Sequence, residues 1–338
     1  NAYGHYLVDF SKKLENLGID FLGVDSVVEA TELRKHGIRC PILVLGYTLP
    51  ENFEEAVRRD IELAISSAEQ LSFLETTKQK PLPAIHIKVD TGMHRQGFGL
   101  SDMARVAEFL AKNQKTKRVR IAGLFTHFAG AKGKENAMHT RRQIEELRKW
   151  VRLFRASGYS PLTHAAASGG TFLFSESHFG MVRIGIGLYG IYPSWEIEKK
   201  LGKKIHLKPV LSWRTVISEV KKLPKGATMG YDRTETLKRD SLVAVCPVGY
   251  WHGFPRALSS IGEVLVRGKR AKVLGRVSMD MVSVDVTGIR GARPGDTVTL
   301  IGKDGKERLC AEDIARRMDA SPYELVTRIN PLIKRFFI

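Results

Sequence analysis

The sequence predicts an α/β architecture: a TIM-type (β/α)8 barrel followed by a mostly antiparallel β domain. Three observations carry this. Short apolar runs alternate with amphipathic segments through the first two-thirds of the chain. After about residue 205 the pattern turns to closely spaced β-rich runs. Turn signals, notably Asp304-Gly305, separate those later runs. The domains are therefore placed at 1–205 and 206–338.

In the first part the apolar runs are Ile19–Val24, Pro41–Leu45, Ile61–Ile65, Ala84–Val89, Ile121–Phe128, Leu162–Ala167 and Met181–Leu188. Between them lie segments with helical spacing, such as Ser101–Asn113 and Glu135–Arg155. Strand and helix in strict alternation predict a parallel sheet with crossover helices, and function at the C-terminal ends of its strands. The runs supply one strand fewer than a closed barrel needs. A parallel barrel short of a strand leaves two edges of unpaired backbone groups. Asn1-Ala2-Tyr3-Gly4-His5 reads as the loop after a strand, so the first strand is expected to precede residue 1. Any targeting signal would lie there too.

The second part is read as strands over Val210–Val220, Ser241–Val248, Glu263–Val266, Ala271–Val277, Met281–Val286 and Thr297–Ile301. Helices are expected near Ala311–Met318 and Pro322–Ile329.

A length of 338 residues at about 150 per domain agrees with two domains. No apolar stretch reaches the ~18 residues a spanning helix needs, so no membrane partner is expected. Cys40, Cys246 and Cys310 form no CxxC pair, which argues against a disulfide framework and a zinc site and fits a reducing cytoplasm. Lys and Arg total 54 against 36 Asp and Glu, a net charge of +18. The basic residues are dispersed; the densest stretches, Lys199–Lys204 and Lys221–Lys225, have no interleaved aromatics on which bases could stack. A solvated basic surface is the better reading than a nucleic-acid site.

Gly185-Ile186-Gly187-Leu188-Tyr189-Gly190 matches G-x-G-x-x-G, but Pro193 interrupts the helix that should follow, and no acidic residue closes a later strand. Its glycines still allow backbone N–H groups to approach a phosphate. Lys88-Val89-Asp90-Thr91-Gly92-Met93-His94-Arg95 ends a strand, which would aim two cations at a barrel mouth; the alternative is an ordinary basic loop. His127 and His164 stand at strand ends, as catalysts or as hydrogen-bonded core. No third ligand stands at metal spacing beside them. The chain has no Walker loop and no G-x-S-x-G elbow. Tyr231, Tyr250, Arg276 and Met279 lie in turns of the β part and signal nothing by composition alone.

Taken in order, these segments resemble alanine racemase, the pyridoxal-phosphate enzyme of fold type III. The resemblance runs through Asn1-Ala2-Tyr3-Gly4-His5, Pro41–Gly46, Lys88–Met93, Phe125–Ala129, Met181–Gly190, Gly230-Tyr231, Val248-Gly249-Tyr250 and Met279-Asp280. It implies interconversion of L- and D-alanine by two bases, supplying D-alanine for peptidoglycan, in a cytoplasmic homodimer with shared sites. The family's Schiff-base lysine belongs two residues before Asn1. Tyr231 of the partner subunit resembles the second base, and His127 the residue bonded to it. Arg183 resembles the arginine facing the pyridine nitrogen, with His164 behind it. Tyr3, Ser168, Gly185 and Ile186 resemble the phosphate-binding set. Arg95 resembles the arginine near the cofactor phenolate and substrate carboxylate, and Lys88 the lysine carbamylated beside it. Met279, Arg276 and Tyr250 resemble substrate-binding or channel-lining residues, Met279 across the dimer.

Four positions depart from the family pattern. Ala167 stands for an Asn before Ser168, Lys132 for an Asp at the substrate channel, His252 for the Asp of Gly-Tyr-x-Asp-Gly, and Pro331 for a tyrosine. They leave serine or broader specificity as an alternative, alongside a non-catalytic pyridoxal-phosphate-binding homologue. A barrel-type decarboxylase is disfavoured by the Tyr231 and Lys88–Arg95 motifs.

Overall fold

The structure, a computed structural model, describes residues 1–133 and 135–337. The chain divides into two compact units. The barrel unit comprises Leu7–Leu188 and Tyr192–His206; the β unit comprises Asn1–Tyr6, Tyr189–Ile191 and the chain from Leu207 onward.

The barrel unit holds seven strands: β1 (Leu22–Val24), β2 (Ile42–Val44), β3 (Glu62–Ile65), β4 (Ile85–Lys88), β5 (Ile121–Phe125), β6 (Leu162–Ala167) and β7 (Met181–Arg183). They pair in sequential order, each neighbour parallel. Every residue of β2, β3 and β4 is buried, as expected where helices cover one face and the barrel core the other. The helices form for local reasons. Ser26 and Ser67 accept the backbone N–H three residues on, capping Val27–Lys35 and Ala68–Thr76. In Ala137–Ala156 the buried Ile144, Leu147, Trp150 and Phe154 recur at helical spacing and form one stripe towards the sheet.

Two register shifts interrupt the parallel ladder, between Ile85 and His86 on β4 and between His164 and Ala167 on β6. Such irregularities re-aim side chains and gather near functional sites. Both fall beside a buried histidine.

The β unit carries β8 (Trp213–Val216), β9 (Glu219–Leu223), β10 (Thr228–Met229), β11 (Glu235–Thr236), β12 (Ser241–Cys246), β13 (Glu263–Val266), β14 (Lys269–Leu274), β15 (Val282–Asp285), β16 (Thr297–Asp304) and β17 (Glu307–Leu309). The main sheet runs β17-β16-β13-β14-β15-β12-β9, with β8 also on β16; β10 and β11 form a separate hairpin. All these pairings are antiparallel. The Asp304-Gly305 turn closes the β16–β17 hairpin, with Gly305 at φ 59°, a conformation glycine adopts without steric cost.

Several apolar runs prove longer than their strands. Met181–Leu188 yields only β7, because the N–H groups of Gly185 and Gly187 turn to the Ser168 hydroxyl instead of a neighbouring strand. Val210–Val220 splits into β8 and β9, which pair with different neighbours. The break lies where Ile217 N–H donates to Asp296 O and Ser218 N–H to Val245 O. The hairpin of β10 and β11, and strand β17, are too short to leave a periodic signal.

The first six residues group with the β unit for a visible reason. Arg335 donates to the carbonyl of Gly4 at 3.0 Å, and the Tyr3 ring packs against Tyr189 and Tyr323 at 5.3 and 5.8 Å. Gly4 has φ 82°, and a Cβ there would lie 2.0 Å from the carbonyl oxygen of Val326. No helix among the described residues is long and apolar enough to cross a membrane.

Candidate active site

Strand ends of the barrel unit bring Lys88, His127, His164, Ser168 and Arg183 to one region. Arg183, last residue of β7, is the hub. Its Nη1 donates to His164 Nδ1 at 2.8 Å. Its Nη2 donates to the carbonyls of Thr126 and Ala165 at 2.7 and 2.9 Å, and faces His127 Nδ1 at 3.4 Å. The Phe125 ring lies 5.3 Å beneath the guanidinium and stacks on His164 at 4.8 Å. Burial lowers the Arg183 pKa to about 10, so it remains a cation at neutral pH.

Guanidinium has donors only. His164 Nδ1, facing an Nη1 hydrogen, must therefore accept, and that neutral ring carries its proton on Nε2. Charge agrees with this. Burial, then the Arg183, Arg95 and Lys88 cations, push His127 down to about 3. Burial and Arg183 hold His164 well below the usual histidine range.

Beyond β4 the chain folds back, with Asp90 N–H donating to Phe98 O and Phe98 N–H to Lys88 O. Asp90 Oδ1 accepts the N–H groups of Gly92, Met93 and His94 at 2.9, 2.9 and 3.1 Å. Burial raises the Asp90 pKa, but these bonds outweigh it and leave the carboxyl below its ordinary value. Gly97, at φ 121°, admits the close return: a Cβ would meet Asp90 N at 2.8 Å. The turn presents Arg95, which is exposed and has no ion-pair partner among the described residues. Lys88 Nζ donates to Gln96 Oε1 at 3.1 Å. Burial, then Arg95 and Arg183, lower the Lys88 pKa.

Ser168, at the end of β6, is 2% exposed. Its Oγ accepts the N–H of Gly185 at 3.0 Å and of Gly187 at 3.2 Å. A Cβ on Gly187 would sit 3.4 Å from that oxygen. The Gly185 and Gly187 N–H groups thus converge on the Ser168 oxygen, which leaves the hydroxyl hydrogen, without an acceptor among the described residues, as the donor an anion could use.

Tyr3, Tyr231, Tyr250, Arg276 and Met279 belong to the β unit. Tyr231 is 71% exposed, on a single turn whose Arg276–Asp232 ion pair spans 3.1 Å. Tyr250 N–H donates to Ser278 O and Trp251 N–H to Met279 O, which ties Tyr250 and Met279 into one turn. His252 Nδ1 accepts Gly249 N–H at 3.2 Å, so it caps the turn as an aspartate could. Pro331 is held by its carbonyl to Arg335 at 3.1 Å, and Lys132 by its own to Ser194 Oγ at 2.9 Å. Ala167 offers no side-chain donor beside Ser168.

Residue-level reading of the sequence missed Gln96, Thr126 and His86, the last bonded to His164 at 2.9 Å. A polar residue inside an apolar strand run was the available signal for His86.

The sequence matches the family "Alanine racemase, N-terminal domain" over residues 1–193 and "Alanine racemase, C-terminal domain" over residues 210–337. It is 37% identical to the alanine racemase of Methanococcus maripaludis, with 100% of this chain and 90% of that protein covered. It is 37% identical to that of Symbiobacterium thermophilum, with 100% and 88% covered. Among solved structures, alanine racemase from Bacillus anthracis with bound L-Ala-P has TM-score 0.89 at 32% identity, covering 97% of this chain and 84% of that one. That of Streptomyces coelicolor A3(2) also has TM-score 0.89, at 30% identity, covering 98% and 87%. Both domains match in order along nearly the whole sequence, and the chain belongs to the alanine racemase family.

Proposed function

We propose that this chain belongs to a pyridoxal-phosphate-dependent alanine racemase that supplies D-alanine for peptidoglycan. The observation that carries the reading is Arg183, held among acceptors at the end of β7 with donors to spare. Nη2 serves two carbonyls, and among the described residues neither Nε nor the second Nη1 hydrogen has a protein partner. These can face an unprotonated ring nitrogen and, being donors only, leave it without a proton.

Pyridoxal phosphate, when bound, acts as an electron sink that acidifies the substrate α-proton. The Ser168 hydroxyl and the backbone of Gly185 and Ile186 hold its phosphate in this reading. Arg95, without an ion-pair partner among the described residues, is available to bind the substrate carboxylate. The lowered pKa of Lys88 favours the neutral amine, which attacks carbon dioxide to form a carbamate and release a proton. That anion then fixes Arg95 by a charge-assisted bond. His127 donates Nε2–H to the phenol oxygen of the partner subunit's Tyr231, which stabilises the phenolate that takes the α-proton on one face. The partner subunit's Met279, with Arg276 and Tyr250, bounds the substrate. Such a homodimer, placed in the cytoplasm, makes two complete sites.

The test is direct. Purified full-length protein loaded with pyridoxal phosphate is expected to show a visible absorption band that borohydride abolishes, and to racemise L-alanine faster than L-serine. Protein that takes up no cofactor would defeat the reading; faster turnover of serine would reassign the substrate.

A further inference from the structure

The bonds behind Arg183 continue through the barrel. His164 Nε2 lies 2.9 Å from His86 Nδ1, His86 Nε2 lies 2.6 Å from Glu62 Oε2, and Arg120 Nη2 donates to Glu62 Oε1 at 2.6 Å. Both rings are 0% exposed and Glu62 is 8% exposed. The chain climbs from Glu62, first residue of β3, to Arg183, last residue of β7. It crosses β5 at Gly123, where a Cβ would lie 1.9 Å from His86 Nδ1. Both histidines sit at the register shifts of β4 and β6.

Proton positions follow from the arginine end. His164 Nδ1 accepts from Arg183, so its proton is on Nε2. That proton points at His86 Nδ1, which must accept, so the His86 proton is also on Nε2. Glu62 accepts it. Every donor in the chain points towards the carboxylate, and a second proton on either ring would set two N–H groups against each other.

We infer that Glu62 is a positioning residue for racemisation: acting through His86, it holds His164 in the Nε2–H tautomer and thereby keeps a permanent acceptor against Arg183. The inference rests on the reading that Arg183 faces the cofactor ring. Without Glu62, His86 is free to reverse, His164 can follow, and Arg183 loses the bond that sets its plane. Burial raises the Glu62 pKa, but the bonds from His86 and Arg120 outweigh it, so the carboxylate persists at neutral pH.

The test uses full-length enzyme with 15N-labelled imidazoles, with and without pyridoxal phosphate. His86 and His164 are each expected to show one protonated nitrogen, Nε2, and one unprotonated nitrogen, Nδ1, in both forms. Glu62→Leu is expected to mix the His164 tautomers and lower kcat by about tenfold with little change in KM, the scale seen for groups that orient a primary ligand. Glu62→Gln keeps a carbonyl that can accept from His86, so both the spectrum and kcat should return towards wild type. A wild-type His86 or His164 that is Nδ1–H or doubly protonated overturns the inference, and so does a Glu62→Leu enzyme with unchanged kcat. If Glu62→Leu does not fold, the wild-type spectrum and the kcat of Glu62→Gln still decide; a Glu62→Gln enzyme with reversed tautomers and full activity refutes the role. Wild-type holoenzyme without racemase activity would instead strike the functional reading, and the positioning role with it, while the tautomers still report the relay.

Discussion

Gly123 leaves the space that the His86 ring fills: a Cβ built on this β5 residue would lie 1.9 Å from His86 Nδ1. Glycine inside a strand is otherwise unfavourable, so its presence marks a close approach. Gly123→Ala should expel the ring or displace β5. Overpacking of this kind costs about 1–3 kcal/mol, and the bonds to His164 and Glu62 would go with it. Chemical denaturation reads the loss; a variant as stable as wild type would mean that the ring has room to move.

Acid should destabilise the fold. His127 lies near 3 and His5 near 4, burial being the largest cause for both, and His164 well below its ordinary value. The unfolded chain binds these protons once pH drops below about 6.5, while the folded chain does not. Stability is therefore full above about pH 6.5 and is lost progressively as pH falls towards about 4. Glu62 and Asp90, both depressed, add to the loss at the lower end. Urea midpoints measured from about pH 7.5 to 5 should decline steadily; a flat series would contradict the neutral assignments.

Tyr231→Phe separates the two faces of the α-carbon. It should block α-deuterium exchange from one alanine enantiomer and impair exchange from the other less. Turnover should fall in both directions, by about 10²–10⁴-fold, the usual contribution of a general base. Stability should barely change, because the ring stays and the side chain is already 71% exposed. Equal, unimpaired exchange from both enantiomers would reduce Tyr231 to a surface residue.

Activity should depend on protein concentration. Lys88, Arg95 and Arg183 lie in the barrel unit, whereas Tyr231 and Met279 lie in the β unit, and the proposed site combines those of two subunits. Dilution below the dimer dissociation range, followed by sedimentation, should remove turnover in step with the dimer. Sustained turnover by monomers would contradict the shared site.

Much of the architecture was legible from local pattern. Fully buried parallel strands read as unbroken apolar runs, and β2, β3 and β4 stand where those runs are. The Asp304-Gly305 turn was legible because its geometry asks for a residue at ease with positive φ. The motif order from Lys88–Arg95 to Met279 was legible as family resemblance. Tertiary structure alone decided the rest. Glu62, His86, Gly123, His164 and Arg183 are far apart in sequence and meet only through parallel pairing and two register shifts, and no local periodicity encodes a shift of register. The tautomer of His164 likewise depends on which of its nitrogens faces Arg183. The opening residues join the β unit because Arg335 and Tyr323 bind them, partners more than three hundred positions away. Local propensity writes strands and turns into a sequence; the direction of a hydrogen-bond chain exists only once the folded partners are in place.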